Sequence, residues 1–419
     1  MKFSAQLDVN VVAVETTDEV SLLLDLQSPH VATDSDRPAA TLQVVLDRSG
    51  SMQGAPLNGA VQALCGLVAR LAGRDNFGVV TFDDSTQVVV PAGPLVDKDR
   101  VIQQLREITS GGTTDLSGGY LRGMQELKRA SAGQGGTLLL ISDGHANRGI
   151  SDPSQLETIA AGAGSDKIVT STLGYGLGYD ETALSALARG GSGNHHFAEN
   201  PDTAGAAIAS EANELLAKSV QAASLLITME PAVTLLKLYN DLPSVQVGPR
   251  QVMVEVGDFY SDERRKLLIR LSVPAMAGLG LAKVASLELR YVELPSLIEQ
   301  VVTLPVQVNV VPGDQAAGRI TDPTVHTEML FQEAQQAKKQ ASDALERGER
   351  READEWLAGA SGLMGEALTS SPPAMRAEVQ QESDDIQAMR ARTSWDDMSR
   401  MSKDTRASYH NRNRKRGRS

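Results

Sequence analysis

A mostly apolar run, Leu42-Gln43-Val44-Val45-Leu46, stops at Asp47 and is followed by Arg48-Ser49-Gly50-Ser51-Met52. A short apolar run bounded by a turn signal reads as a buried parallel strand. The helix-period segment Ala55 to Leu71 comes next, so Asp47, Ser49 and Ser51 fall on a loop at the carboxyl end of a strand. In open α/β sheets that edge is where ligands bind. One carboxylate and two hydroxyls are all oxygen donors and suit a hard cation such as Mg2+. Gly50 lets the backbone fold so that both hydroxyls face one point. Taken alone, the same residues equally describe an ordinary strand-to-helix loop with serines near a helix start.

From Thr41 to about Ser219, strand-like runs at 42–47, 77–83, 86–90, 137–142, 167–173 and 194–198 alternate with helical patterns. This alternation predicts a doubly wound α/β sheet with helices on both faces. The short run at 86–90 suits an antiparallel edge strand. Two further segments carry candidate ligands. Gly111-Gly112-Thr113-Thr114-Asp115-Leu116 is a glycine turn with hydroxyls before a helix. Leu138-Leu139-Leu140-Ile141-Ser142-Asp143-Gly144 is a second apolar strand ending in Asp and Gly.

In order, spacing and context these three segments resemble the metal-ion-dependent adhesion site of the von Willebrand factor type A family. The resemblance implies Asp47, Ser49, Ser51, Thr114 and Asp143 as the metal set. Thr113 is the other candidate for the threonine position. It further implies bound Mg2+ (or Mn2+ or Ca2+) with an open coordination position that an Asp or Glu of a partner protein completes. The expected role is therefore metal-dependent protein binding and not catalysis. The alternatives are a Mg-dependent phosphoryl-transfer enzyme or a scaffold with an incidental metal. A phosphoryl-transfer site needs a second carboxylate close to Asp47 and a cation for the phosphate, whereas the neighbouring ligand position is Ser49.

Other residues carry weaker readings. Asp115 either alters the charge beside Thr114 or caps the following helix. His145 lies on the same loop edge and reads mainly as a solvated loop histidine. His195-His196 sit in a strand, where neighbours point to opposite faces, so one buried and one exposed is expected. Asp83-Asp84 adds negative charge near the site or simply forms a turn. Gly174-Tyr175-Gly176-Leu177-Gly178 lacks the spacing of a phosphate loop. Cys65, the single cysteine, reads as a small buried hydrophobe.

Outside 39–219 the patterns change. Residues 1–38 contain alternating runs at 3–13 and 20–26, then a linker at 28–40 with two prolines. Residues 220–313 hold strand-like runs at 222–229, 233–239, 251–256, 265–273, 283–292 and 300–311 with no helix-period run between them. A lone hairpin is marginal, so 1–38 are expected to join this antiparallel β-sandwich, with the α/β domain inserted into it. Asp322-Pro323 opens a helical region, 320–392, with breaks near Gly348 and Pro372-Pro373. Residues 393–419 are expected to be a disordered basic tail. From Lys403 to Ser419 there are seven Lys or Arg against one Asp.

A net charge of −13 argues against nucleic acid as the main partner, except through that tail. The tail's own readings are a solubilising segment, a fold-back onto the acidic body, or nucleic-acid contact. With no signal peptide pattern and no run of eighteen apolar residues, the expected location is the cytoplasm, without membrane contact, as in a bacterial relative of the family.

Overall fold

The computed structural model describes residues 1–30, 39–143, 147–276, 278–294 and 296–414. The chain begins with β1 (Lys2–Leu7), β2 (Val11–Ala13) and β3 (Asp18–Gln27). An α/β segment follows: β4 (Thr41–Asp47), α1 (Ala55–Arg70), β5 (Asn76–Phe82), β6 (Thr86–Pro94), α2 (Lys98–Arg106), α3 (Leu116–Ser131) and β7 (Gly136–Ser142). It continues through α4 (Pro153–Gly162), β8 (Ile168–Tyr175), α5 (Glu181–Gly190), β9 (Ser192–Ala198) and α6 (Pro201–Leu216). Seven strands come next: β10 (Lys218–Met229), β11 (Thr234–Leu238), β12 (Ser244–Gly248), β13 (Gln251–Tyr260), β14 (Arg264–Val273), β15 (Gly280–Glu293) and β16 (Ile298–Val311). The chain closes with α7 (Gly313–Ala316), α8 (Pro323–Glu346), α9 (Arg350–Ser370), α10 (Pro373–Arg392) and α11 (Met398–Arg414).

The α/β segment is one sheet in the order β6-β5-β4-β7-β8-β9. All pairs are parallel except β5 with β6. Every residue of β4 and of β7 is buried, as strands covered on both faces require. One face packs against α1, α2 and α6 through Leu57, Leu64, Leu105 and Ile208. The other packs against α3, α4 and α5 through Leu116, Tyr120, Leu156 and Leu184. A Cβ at Gly123 would run into Val45, so its absence is what lets α3 lie so close to β4. The chain leaves β4 toward β5 on one side and later returns to β7 on the other. Asp47 therefore stands where the strand order reverses, the switch point at which such sheets bind ligands.

This segment is inserted between β3 and β10 of a β-sandwich whose sheets run β1-β3-β14-β11 and β12-β13-β10-β15-β16-β2. Its core takes Leu22, Leu24 and Leu26 from β3, Leu225 and Ile227 from β10, and Leu267 and Ile269 from β14. The expected single strand at 3–13 is corrected: it breaks into β1 and β2, which enter different sheets. Asp8 makes the break, its Oδ1 accepting from the backbone N–H of Val9 at 2.7 Å and of Ser21 at 2.8 Å. β12, which has no counterpart among the sequence readings, is an edge strand beside β13.

α8 starts at Asp322, whose Oδ1 accepts from the N–H groups of Thr324 and Val325. It rests on the sandwich through Leu23, Tyr239, Leu268 and Val325. α9 and α10 pack in turn, sharing Phe331, Met364, Val379 and Ile386.

The disordered tail is the second correction: 398–414 is the helix α11. Met401 and Tyr409 are buried. The cations find acids distant in sequence, Arg406 Nε lying 3.1 Å from Glu181 Oε1 and Arg412 Nε 3.2 Å from Glu382 Oε2. Lys403 Nζ donates to the Tyr179 carbonyl at 3.0 Å and sits 3.9 Å from the Tyr179 ring centroid. Charge that reads locally as disorder is here neutralised between elements. The linker residues 31–38, His145 and 415–419 lie outside the described residues.

Candidate metal centre

Three loops meet at the carboxyl end of β4, and backbone hydrogen bonds lock them together. Gly50 N–H donates to the Gly112 carbonyl at 3.0 Å, and Gly111 N–H donates to the Arg48 carbonyl at 2.6 Å. A Cβ at Gly111 would collide with the Asp83 carboxylate, so the glycine turn is what allows this contact. The 147–148 segment joins from the β7 side: Asn147 and Arg148 donate backbone N–H groups to the Thr114 carbonyl at 3.2 and 3.3 Å. Asn147 Oδ1 accepts from Thr114 N–H at 3.0 Å.

The side chains follow from this backbone. Asp47 is fully buried. Its Oδ1 accepts from Ser49 N–H at 2.8 Å and its Oδ2 from Ser142 Oγ at 2.6 Å. Ser49 Oγ and Ser51 Oγ are 3.1 Å apart, and Ser51 Oγ donates to Asp143 Oδ1 at 2.8 Å. The structure thus links Asp47, Ser49, Ser51 and Asp143 in one chain of contacts. Thr114 is held on the adjoining loop and is buried, whereas Thr113 is exposed. Asp115 is an N-cap, its Oδ1 accepting from Gly118 N–H at 2.9 Å.

Electrostatics set the two carboxylates apart from ordinary ones. Burial raises Asp47, against the hydrogen bonds from Ser142 and Ser49, and the nearby Asp83 charge raises it further. Burial pushes Asp143 up to about 6, with the Ser51 hydrogen bond opposing and Asp47 adding to the rise. Asp83 behaves differently. Burial would raise it, but hydrogen bonds from Ser85 and Gly112 and the Arg48 guanidinium, 3.1 Å away, hold it below the usual range. Two crowded carboxylates that resist ionisation are what a cation would relieve.

The donor set is three hydroxyls and two carboxylates, all hard oxygen, which fits Mg2+ and also Mn2+ or Ca2+. Among the described residues no group of three or more His, Cys, Asp and Glu could hold a metal, so a site here rests on hydroxyl oxygens. Sequence reasoning missed Ser142 and Asn147. Ser142 had a usable signal, a hydroxyl immediately before Asp143 at a strand end. Asn147 had none, because its role depends on how the 147–148 segment meets Thr114.

His195 is fully buried and His196 only partly so. His195 Nδ1 is 2.8 Å from Thr172 Oγ1 and its Nε2 is 3.2 Å from Tyr179 OH. His196 Nε2 is 2.7 Å from Glu211 Oε1. Neither histidine belongs to the loop cluster at Asp47.

A fold with this strand order and this loop cluster defines a class, and comparison with known proteins identifies it. Residues 42–211 match the von Willebrand factor type A domain, and this segment of the chain is a von Willebrand factor type A domain. Over 273 residues the chain is 26% identical to "Uncharacterized protein sll0103" of Synechocystis sp., covering 62% of this chain and 63% of that protein. It is 28% identical over 191 residues to "Uncharacterized protein YfbK" of Escherichia coli, covering 44% of this chain and 33% of that protein. The chain thus spans less than two thirds of these relatives. Among solved structures, "von Willebrand factor type A from Catenulispora acidiphila" superposes with a TM-score of 0.71 at 16% identity, over 93% of this chain and 96% of that one. The "ArnB paralog VWA2 from Sulfolobus acidocaldarius" gives 0.65 at 16% identity, over 96% and 97%. Both likenesses reach beyond the α/β segment and show that the fold as a whole is shared. No helix among the described residues is long and apolar enough to cross a membrane.

Proposed function

We propose that Asp47, Ser49, Ser51, Thr114 and Asp143 hold a divalent cation, Mg2+ or alternatively Mn2+ or Ca2+, and that the chain is a protein-binding module whose partner supplies an Asp or Glu to that cation. Von Willebrand factor type A domains commonly bind a divalent metal and mediate protein–protein interactions. The observation that carries the reading for this chain is the contact series Asp47–Ser49–Ser51–Asp143, drawn from two strands and one loop onto a single point of the sheet edge. The cation would supply a positive centre able to exchange water for a carboxylate oxygen. Ser49 and Ser51 would turn their lone pairs to it. Asp47, held by Ser142, would keep its place behind them. With hydroxyls in direct contact and the two carboxylates tied up by their own hydrogen bonds, the ion's charge would be only partly compensated, which favours an acidic ligand from outside.

A non-enzymatic role is supported by the state of Asp47. Both its oxygens are engaged and it has no exposed surface, so it is not placed to attack a substrate. Calorimetry with Mg2+ and Mn2+ on the full chain tests the metal. One site is expected, lost in the double variant Ser49→Ala/Ser51→Ala; equal uptake by both proteins defeats the reading. With a binding protein in hand, replacing its interfacial Asp or Glu by Ala and adding EDTA should each abolish the complex.

A further inference from the structure

Beside the metal loops, on the α2 side of the sheet, lies a cleft of about 350 Å3 lined by Arg48, Thr81, Gln87, Gln104, Glu107 and Thr109. Thr81 precedes Phe82 on β5, and alternation along the strand turns it to the face opposite the Phe82 ring. Its hydroxyl is buried and has no hydrogen-bond partner, and the same holds for Arg48 Nε. Arg48 reaches the cleft from the residue directly after Asp47. Its other nitrogens are engaged, Nη1 donating to Gln87 Oε1 at 3.3 Å and Nη2 lying 3.1 Å from Asp83 Oδ2. Buried polar groups in native proteins are almost always paired. Two orphaned ones in a single cleft next to a candidate binding site mark a place that a ligand's polar group completes.

The charges decide what that group is. The orphaned Arg48 Nε–H is a donor, and the Thr81 hydroxyl, on another residue lining the same cleft, can also donate, so the incoming atom is an acceptor. The Arg48 charge is already met by Asp83, and Glu107 adds an exposed carboxylate at the rim. A second anion would be repelled there. A carboxamide fits both demands, its oxygen accepting from Arg48 and Thr81 and its NH2 group donating toward Glu107. We propose that this cleft is an amide subsite, taking an Asn or Gln side chain on the same partner segment that brings a carboxylate to the metal. The partner identity rests on the metal reading above. The amide preference of the cleft does not.

The test uses the full chain labelled with 15N and follows the Arg48 Nε–H resonance, assigned by its loss in Arg48→Lys. Propionamide is the probe, with propionate at matched ionic strength as the control, each added with Mg2+ and with EDTA. A saturable shift of the Arg48 signal by propionamide is expected, at lower concentration than any shift by propionate. Thr81→Val, which keeps the shape and removes the hydroxyl, should weaken propionamide about tenfold and leave Mg2+ affinity by calorimetry unchanged. No saturable shift, a preference for propionate, or an unaltered affinity in Thr81→Val each overturns the proposal. Propionamide binding in a protein that takes up no Mg2+ would defeat the metal reading alone and leave the subsite standing.

Discussion

Ser142 and Asp47 stand on neighbouring parallel strands, 95 residues apart in sequence, and their side chains meet at 2.6 Å. The serine immediately before one candidate ligand therefore fixes the orientation of another. Because Ser49 N–H holds the other Asp47 oxygen, the carboxylate cannot rotate without losing one of two hydrogen bonds. Groups that orient metal ligands in this way typically matter nearly as much as the ligands.

Ser142→Ala removes one of those two constraints and leaves a buried carboxylate oxygen without a donor. Mg2+ affinity by calorimetry is expected to fall by about tenfold or more. The metal-free protein should lose about 1–3 kcal/mol in urea denaturation. Unchanged Mg2+ affinity would mean that Asp47 does not depend on this bond.

His195 gives a pH dependence with a definite sign. Burial, together with the nearby His196, Arg406 and Lys403 charges, drives it down to about 3 from an ordinary 6.5. Thr172 Oγ1 already donates to the Leu184 carbonyl at 3.1 Å, so it accepts from His195 Nδ1–H, and Nε2 accepts from Tyr179. Both nitrogens of the neutral ring are thereby used. The contribution is present above pH 6.5 and is lost as pH falls from 6.5 toward 3, because the unfolded chain takes up a proton that the native one refuses. The slope is up to about 1.4 kcal/mol per pH unit. Denaturation midpoints between pH 7.5 and 5 should fall more steeply in the wild type than in His195→Asn.

Lys338 Nζ and Glu382 Oε1 are 2.6 Å apart, and neither side chain has exposed surface. Glu382 also accepts from Gln335 Nε2 at 2.8 Å, and Lys338 donates to Ser408 Oγ at 2.8 Å. Glu382→Ala strands a buried ammonium and should cost about 3–5 kcal/mol. Lys338→Met in the same protein should recover part of that loss. A double variant as unstable as the single one would show that the loss comes from the packing of α10 or from Arg412, whose Nε is 3.2 Å from Glu382 Oε2, and not from the stranded ammonium.

α11 adds contacts to the carboxyl side of the α/β sheet, beside direct ones such as Thr182 Oγ1 to Glu346 Oε1 at 3.3 Å. Ser399 Oγ donates to the Leu177 carbonyl at 3.3 Å, Arg400 is 2.6 Å from Glu199, and His410 Nε2 is 3.3 Å from the Gly193 carbonyl. Ending the chain at Asp397 should speed amide hydrogen exchange along β9 and through 177–181, while β4 and β5 stay protected. Uniform protection would mean that these contacts contribute nothing to local stability.

Much of this was legible locally. β4 and β7 announce themselves as apolar runs, and the caps Asp115 and Asp322 sit where helix-start chemistry puts them. What escaped the sequence depends on distant partners. Asp8 splits one alternating run because it binds the Ser21 backbone. Ser244-Val245-Gln246-Val247 alternates over only four residues between Pro243 and Gly248, too short a run to stand out, and both valines are exposed in the fold. Lys403 and Arg406 read as solvated charge until Tyr179 and Glu181 come beside them. At the site, Asp47, Ser49, Ser51 and Asp143 are indicated by the resemblance of three short segments to a known family, but the Ser142 and Asn147 contacts exist only once the loops meet.

The insertion has a consequence for synthesis. Asp25 on β3 meets Arg264 on β14 across 239 residues of chain. At about 5–20 residues per second, β1 and β3 leave the ribosome roughly 10–50 s before their sheet can be completed. The von Willebrand factor type A segment, whose sheet is built entirely from residues 41–198, has all its strands available inside that interval. A leucine-rich hairpin must wait beside it, and that interval is when a chaperone holding Leu22–Leu26 would matter most.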